Sequence, residues 1–179
     1  MFAVLQKRKL NDSMTLMVIE APLIAAKAKA GQFIILRVNE HGERIPLTIA
    51  DYDREKGTVT IIYQVVGKTT MLLDQLKEGD SILDFIGPLG RASELEGYKR
   101  AAVIGGGAGC AIAYPQAKAL HALGAKVDMI AGFRSKDIVI LEDEMRTTVP
   151  TETRGSSRTP SKITSRPVPA TTLSSRSAH

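Results

Sequence analysis

The feature that most limits the fold is a change of pattern at Gly97. From residue 2 to about residue 97, short apolar runs of β character alternate with turn residues, at 2–6, 14–21, 33–38, 46–52, 58–66 and 81–87. That spacing predicts a small antiparallel barrel. Between the fifth and sixth runs, Met71, Leu72, Leu73 and Leu76 fall at helical spacing, so one helix over 69–76 is expected to interrupt the strands. After Gly97 the order becomes strand (101–104), Gly-rich loop (105–109), helix (110–123), strand (126–130) and helix (136–145). This is the opening of a parallel α/β domain of Rossmann-like type, and two strands are fewer than a complete doubly wound sheet needs. The expected division is a barrel over 1–97, a partial nucleotide-binding α/β domain over 98–146 and a tail over 147–179.

The tail is expected on composition. Residues 147–179 hold 15 Ser or Thr, and the large apolar side chains there are Ile163 and Leu173. Such a stretch buries too little apolar surface to offset its ordering entropy, so it reads as disordered. It begins where a third strand is due. A coding sequence cut or frame-shifted near Arg146 is therefore expected in preference to a regulatory tail that binds an acidic surface.

The net charge of +5 points at first to an anionic partner, but residues 147–179 hold five bases and one acid, leaving 19 bases and 18 acids in the rest. With no Trp and 4% aromatic residues, the chain also lacks stacking platforms, so nucleic-acid binding is not expected. The core must be mainly aliphatic. A single cysteine, Cys110, excludes an internal disulfide and a cysteine-ligated iron–sulfur cluster within the chain, and fits a reducing cytoplasm. No apolar run reaches membrane-spanning length, and the N-terminal one is too short for a signal peptide. His41, His121 and His179 show no metal-ligand spacing with one another or with Cys110.

Two constellations carry chemistry. In Val103-Ile104-Gly105-Gly106-Gly107-Ala108-Gly109-Cys110, glycines follow an apolar strand and precede a helix. There they allow a tight turn and let a pyrophosphate reach the free N–H groups of the helix start. No acidic residue of the ribose-binding kind follows at the usual distance, since Asp128 lies inside the next strand. The second constellation is Arg44-Ile45-Pro46-Leu47-Thr48-Ile49-Ala50-Asp51, followed by Tyr63-Gln64-Val65-Val66-Gly67-Lys68-Thr69-Thr70 and then Gly87-Pro88-Leu89-Gly90.

In this order the motifs resemble those of the ferredoxin–NADP reductase superfamily over residues 1–146. Within it the chain is most similar to FAD-bearing electron-transfer subunits: the α subunit of NADH-dependent ferredoxin:NADP oxidoreductase, also called sulfide dehydrogenase subunit, and the electron-transfer subunit of dihydroorotate dehydrogenase. The resemblance implies an FAD-dependent oxidoreductase subunit that moves electrons between NAD(P)H and an iron–sulfur or ferredoxin-type partner, with a larger catalytic or iron–sulfur flavoprotein subunit as its companion. It also implies site roles. Thr48, the catalytic candidate, is to hydrogen-bond near the flavin N5, while Leu47 replaces the family's tyrosine against the ring, flanked by Pro46 and Ile49. Arg44, displaced by one residue from the family spacing, is to meet the FAD pyrophosphate. That group is received at a helix start by Gly67, Lys68, Thr69 and Thr70, and Tyr63 and Gln64 line the strand beside the adenylate half. Gly106, Gly107, Ala108, Gly109 and Cys110 are to hold the nicotinamide dinucleotide. The chain departs from the family in two ways: Ile112 stands where proline is common, and the four-cysteine segment that holds a [2Fe–2S] cluster is absent. The alternative reading is a truncated flavin-binding or interaction module without turnover.

Overall fold

The computed structural model describes residues 1–148; residues 149–179, and with them the expectation of a disordered tail there, lie outside the described residues. Among the described residues seven strands form one antiparallel sheet: β1 (Phe2–Lys9), β2 (Met14–Glu20), β3 (Phe33–Arg37), β4 (Ile45–Asp53), β5 (Thr58–Gln64), β6 (Ser81–Ile82) and β7 (Asp84–Leu89). Their order is β6-β1-β2-β5-β4-β3-β7. The strands at its two ends, β6 and β7, are separated in sequence by Leu83 alone, so the sheet curls back into a nearly closed barrel. A short helix after β2, α1 (Pro22–Ala25), has no periodic signal to announce it, because four residues make barely one turn. The helix expected near 69–76 is α2 (Lys68–Gln75).

Aliphatic side chains fill the barrel, with Met17, Ile19, Ile34, Ile61, Leu73 and Ile82 fully buried. Strand β2 reads as a nearly continuous apolar run because both its faces are covered. Met17 and Ile19 point into the barrel, while Met14 and Leu16 point outward into a second cluster. On β4 the alternation of faces does the same, with Ile49 in the barrel core and Ala50 in the outer cluster, and the register shifts at a bulge between Ile49 and Asp51.

That outer cluster is made with the second part of the chain. Strands β8 (Arg100–Gly106) and β9 (Lys126–Gly132) pair in parallel, joined by a 3₁₀ turn, Gly107–Gly109, and helix α3 (Cys110–Ala122). The crossover packs Ala117 and Leu120 of α3 on Val127 of β9. On the opposite face the cross-strand partners Ile104 and Ile130 stay exposed. Cys110, Ala111 and Tyr114 of α3 pack against Met14, Leu16, Ala50 and Ile62 on the outside of the barrel.

The continuous helix expected over 136–145 is corrected. A 3₁₀ turn at Lys136–Ile138 is followed by extended Val139, and helix α4 (Glu142–Thr148) begins only after Leu141, whose φ is +59°. The break lets Ile140 and Leu141 both enter the outer cluster. Glu142, Asp143 and Glu144 then begin a new helix, at the end where its dipole favours anions. The chain therefore remains helical through Thr148, past the residue where composition places the start of the tail.

Candidate functional site

Strand β4 changes partners along its length. Ile49–Asp53 pairs with β5, whereas Ile45–Thr48 pairs only with β3. Beyond Ile49 and Ile61 the two strands therefore part, and a crevice of about 240 Å³ opens between them. Pro46, Leu47 and Thr48 line it from β4, Ile62, Tyr63 and Gln64 from β5, and Met14 from β2, which is paired with Gln64. Ala108, Gly109, Ala111 and Ile112 close it from the Gly-rich turn and α3. Two motifs some 60 residues apart in sequence thus face each other.

The lining is apolar except for Thr48, Gln64 and the Tyr63 hydroxyl, and the last donates to Asp74, so Thr48 and Gln64 remain. Among the described residues neither side chain has a hydrogen-bond partner. Such a lining suits a flat apolar ligand with polar groups at its edge.

The approach of the Gly-rich turn is set by close packing. A Cβ on Gly105 would lie 2.9 Å from the Cα of Cys110 and 3.1 Å from the Cβ of Ala113, so only glycine lets α3 start so near β8. Gly107 has φ +51°, the left-handed region that glycine adopts readily. The ion pair between Lys118 of α3 and Asp51 of β4, with both carboxylate oxygens 2.8 Å from Nζ, ties the helix to the crevice-lining strand. Burial works against the Lys118 charge, but the Asp51 carboxylate outweighs it and raises the lysine's pKa.

Beside the crevice, Gly67 leads into α2. The Thr70 hydroxyl accepts the N–H groups of Gly67 at 2.9 Å and Val66 at 3.1 Å and donates to the Gly67 carbonyl at 2.9 Å. Thr70 thus braces the turn, leaving the first-turn N–H groups of Lys68, Thr69 and Thr70 without intrahelical acceptors, an anion-binding arrangement. Gly67 is extended, so its conformation does not demand glycine. A Cβ there would meet no atom nearer than Thr70 Oγ1 at 4.0 Å, which leaves the backbone open to a ligand.

The other candidates fall elsewhere. Ile49 is in the barrel core. Arg44 does not line the crevice; its guanidinium donates to Asp84 Oδ2 at 2.9 Å, an oxygen that also accepts from Arg37 Nε at 2.7 Å. Gly106 and Gly107 adjoin the crevice-lining residues without lining the crevice themselves. The Cys110 thiol is fully buried; burial raises its pKa, against the effect of the Gly132 N–H, so it stays protonated. Asp128 is occupied by Arg100, whose Nη2 lies 2.9 Å away. Met14, Ile62, Ala111 and Ile112 were not anticipated. Ile62 had a signal, lying two residues before Gln64 on the same strand face, but Met14 depends on β2–β5 register and Ile112 on the docking of α3.

Among the described residues no group of three or more His, Cys, Asp or Glu side chains converges on a metal-sized site, and no helix is long and apolar enough to cross a membrane.

A barrel whose strands part beside an anion-binding helix start, faced by a Gly-rich strand–helix turn, is the architecture of a nucleotide-cofactor oxidoreductase. Residues 2–93 match the oxidoreductase FAD-binding domain family, and the chain belongs to it. It is 43% identical over 143 residues to a Thermotoga maritima protein named dihydroorotate dehydrogenase B (NAD(+)), electron transfer subunit homolog, a match that covers 80% of this chain and 51% of the relative. It is 40% identical over 122 residues to the dihydroorotate dehydrogenase B (NAD(+)) electron transfer subunit of Fusobacterium nucleatum, covering 65% and 47%. A solved structure of an NADH-dependent reduced ferredoxin-NADP oxidoreductase, described for flavin-based electron bifurcation, superimposes with a TM-score of 0.76 at 44% identity, covering 79% of this chain and 51% of that one. The chain spans about half the length of these relatives.

Proposed function

We propose that this chain holds FAD with the flavin ring in the crevice and the diphosphate at the start of α2, and serves as an electron-transfer subunit between NAD(P)H and an iron–sulfur or ferredoxin-type partner. The observation that carries the reading is the pair of polar side chains, Thr48 and Gln64, without hydrogen-bond partners among the described residues, in an apolar crevice that the Gly-rich turn closes from the other side. At about 240 Å³ the crevice is smaller than the roughly 300–1,000 Å³ usual for small-molecule sites, so it suits the ring while the rest of the dinucleotide lies along the surface toward Gly67. When bound, the flavin supplies acceptance of a hydride and release of electrons one at a time.

The chain's residues supply position. Pro46 and Leu47 pack against the ring, the Thr48 hydroxyl offers a hydrogen bond at its N5 edge, and Gln64 meets the polar groups of the ribityl or nicotinamide side. The Gly107–Gly109 turn offers backbone N–H groups to the nicotinamide dinucleotide. The word subunit in the relative's name supports a companion chain, taken here to be a larger catalytic or iron–sulfur flavoprotein subunit. The [2Fe–2S] cluster belongs to that companion or to residues outside this chain, since Cys110 is the only cysteine.

A second reading is flavin binding without turnover. It is favoured by the exposed Ile104 and Ile130, which leave one face of the β8–β9 pair uncovered among the described residues. The visible spectrum of the purified chain, recorded before and after anaerobic addition of NADH or NADPH, separates the two. Flavin absorbance that bleaches supports electron transfer. Flavin that does not bleach supports the module without turnover, and failure to bind added FAD overturns both.

A further inference from the structure

Outside the crevice, side chains from three strands converge on one carboxylate of α2. Asp74 Oδ1 accepts from the Thr15 hydroxyl of β2 at 2.8 Å and from the Tyr63 hydroxyl of β5 at 3.5 Å, and Oδ2 accepts from Lys9 Nζ of β1 at 2.6 Å. Lys7 Nζ of β1 lies 3.6 Å from Oδ1, donates to the Leu76 carbonyl at 3.0 Å and also contacts the Asp74 carbonyl. Thr15 and Tyr63 are buried.

Helix stability does not explain an acid at this position. Asp74 lies in the last turn of α2, where the helix dipole disfavours a negative charge. The carboxylate is accommodated by the two lysines and the hydroxyls of the barrel wall, so its effect is to fix the helix to that wall. Apart from Asp74, α2 is anchored by the buried Thr69 and Leu73 and the partly buried Leu72, with the partly buried Leu76 just after its end. Asp74 also lies one turn after Thr70 on the same face, and Thr70 braces the N-terminal turn. Through Tyr63 the node reaches the strand that lines the crevice.

We propose that Asp74 is a positioning residue for the nucleotide end of the cofactor. By holding α2 against β1, β2 and β5, it places the N–H groups of Lys68–Thr70 where a second phosphate lies, and so makes the site prefer a flavin dinucleotide to a flavin mononucleotide. This rests on the FAD reading above.

Dissociation constants of FAD, FMN and riboflavin, measured by fluorescence titration of the full chain freed of flavin, test it. Asp74→Asn should weaken FAD by about tenfold, the weight of one charge-assisted hydrogen bond, while FMN and riboflavin change by less than about twofold. A merely structural role would weaken all three alike, and that result overturns the proposal, as does an unchanged FAD constant. A wild-type chain that binds FAD no better than FMN overturns it too, leaving the flavin crevice intact as a reading. A wild-type chain that binds no flavin defeats that reading and the proposal together. Should Asp74→Asn not fold, Lys9→Gln replaces it: Lys9 is half exposed, and the expected result is a smaller loss confined to FAD, with a uniform loss or none counting against the proposal.

Discussion

Thr48 and Gly67 carry opposite kinds of information about the site. Thr48 has a half-buried hydroxyl without a hydrogen-bond partner among the described residues, and Gly67 lacks a side chain where one would fit. Thr48→Val keeps the volume and removes the hydroxyl; the variant should retain flavin, with its reduction by NADH in stopped flow slowed about tenfold, the scale of one hydrogen bond. Gly67→Asp should act in two directions. Aspartate is a good N-cap for α2, so the melting temperature should hold or rise, yet a negative charge beside the diphosphate should weaken FAD by at least about tenfold. Equal losses of stability and affinity would show that Gly67 matters to the fold alone. Thr48 and Gly67 were legible in the sequence because their motifs are local. The position of Arg44 was not, since its pairing with Asp84 spans two strands.

Among the elements, β4 does the most to build the site, and it does so by dividing its ladder between β3 and β5. Strand alternation presents Ala50 to α3, and Asp51, at the bulge, lies within reach of Lys118. Because the lysine's pKa is raised in the folded protein, the stability from this pair is present in full below the unfolded lysine value of about 10.4 and is lost as pH rises through the folded one. Thermal melts from neutral to alkaline pH should show a decline above about pH 10 that is smaller in Lys118→Met. Helix α3 was legible as an element from the Gly-rich loop that precedes it. The broken segment before α4 was not, because Ile140 and Leu141 fit helical spacing but are drawn into the outer cluster by tertiary packing.

For the whole molecule, the outer cluster makes the barrel and the β8–β9 unit share one set of buried side chains. Leu16→Ala, on the outer face of the barrel, should cost about 2–5 kcal/mol. In hydrogen exchange it should lower protection in α3 as well as in β2; protection lost from β2 alone would show that the two units open independently. The sequence by itself determined the order of the strands and of helices α2 and α3, though not α1 or the broken segment before α4, together with the aliphatic core and the glycine positions, because each depends on the periodicity or backbone freedom of neighbouring residues. Only the tertiary structure decided that Pro46–Thr48 faces Ala108–Gly109, that Met14 and Ile112 complete the crevice, and that Asp74 gathers partners from three strands. Those contacts depend on strand register and on how α3 docks against the barrel, both set by the packing of residues far apart in the chain.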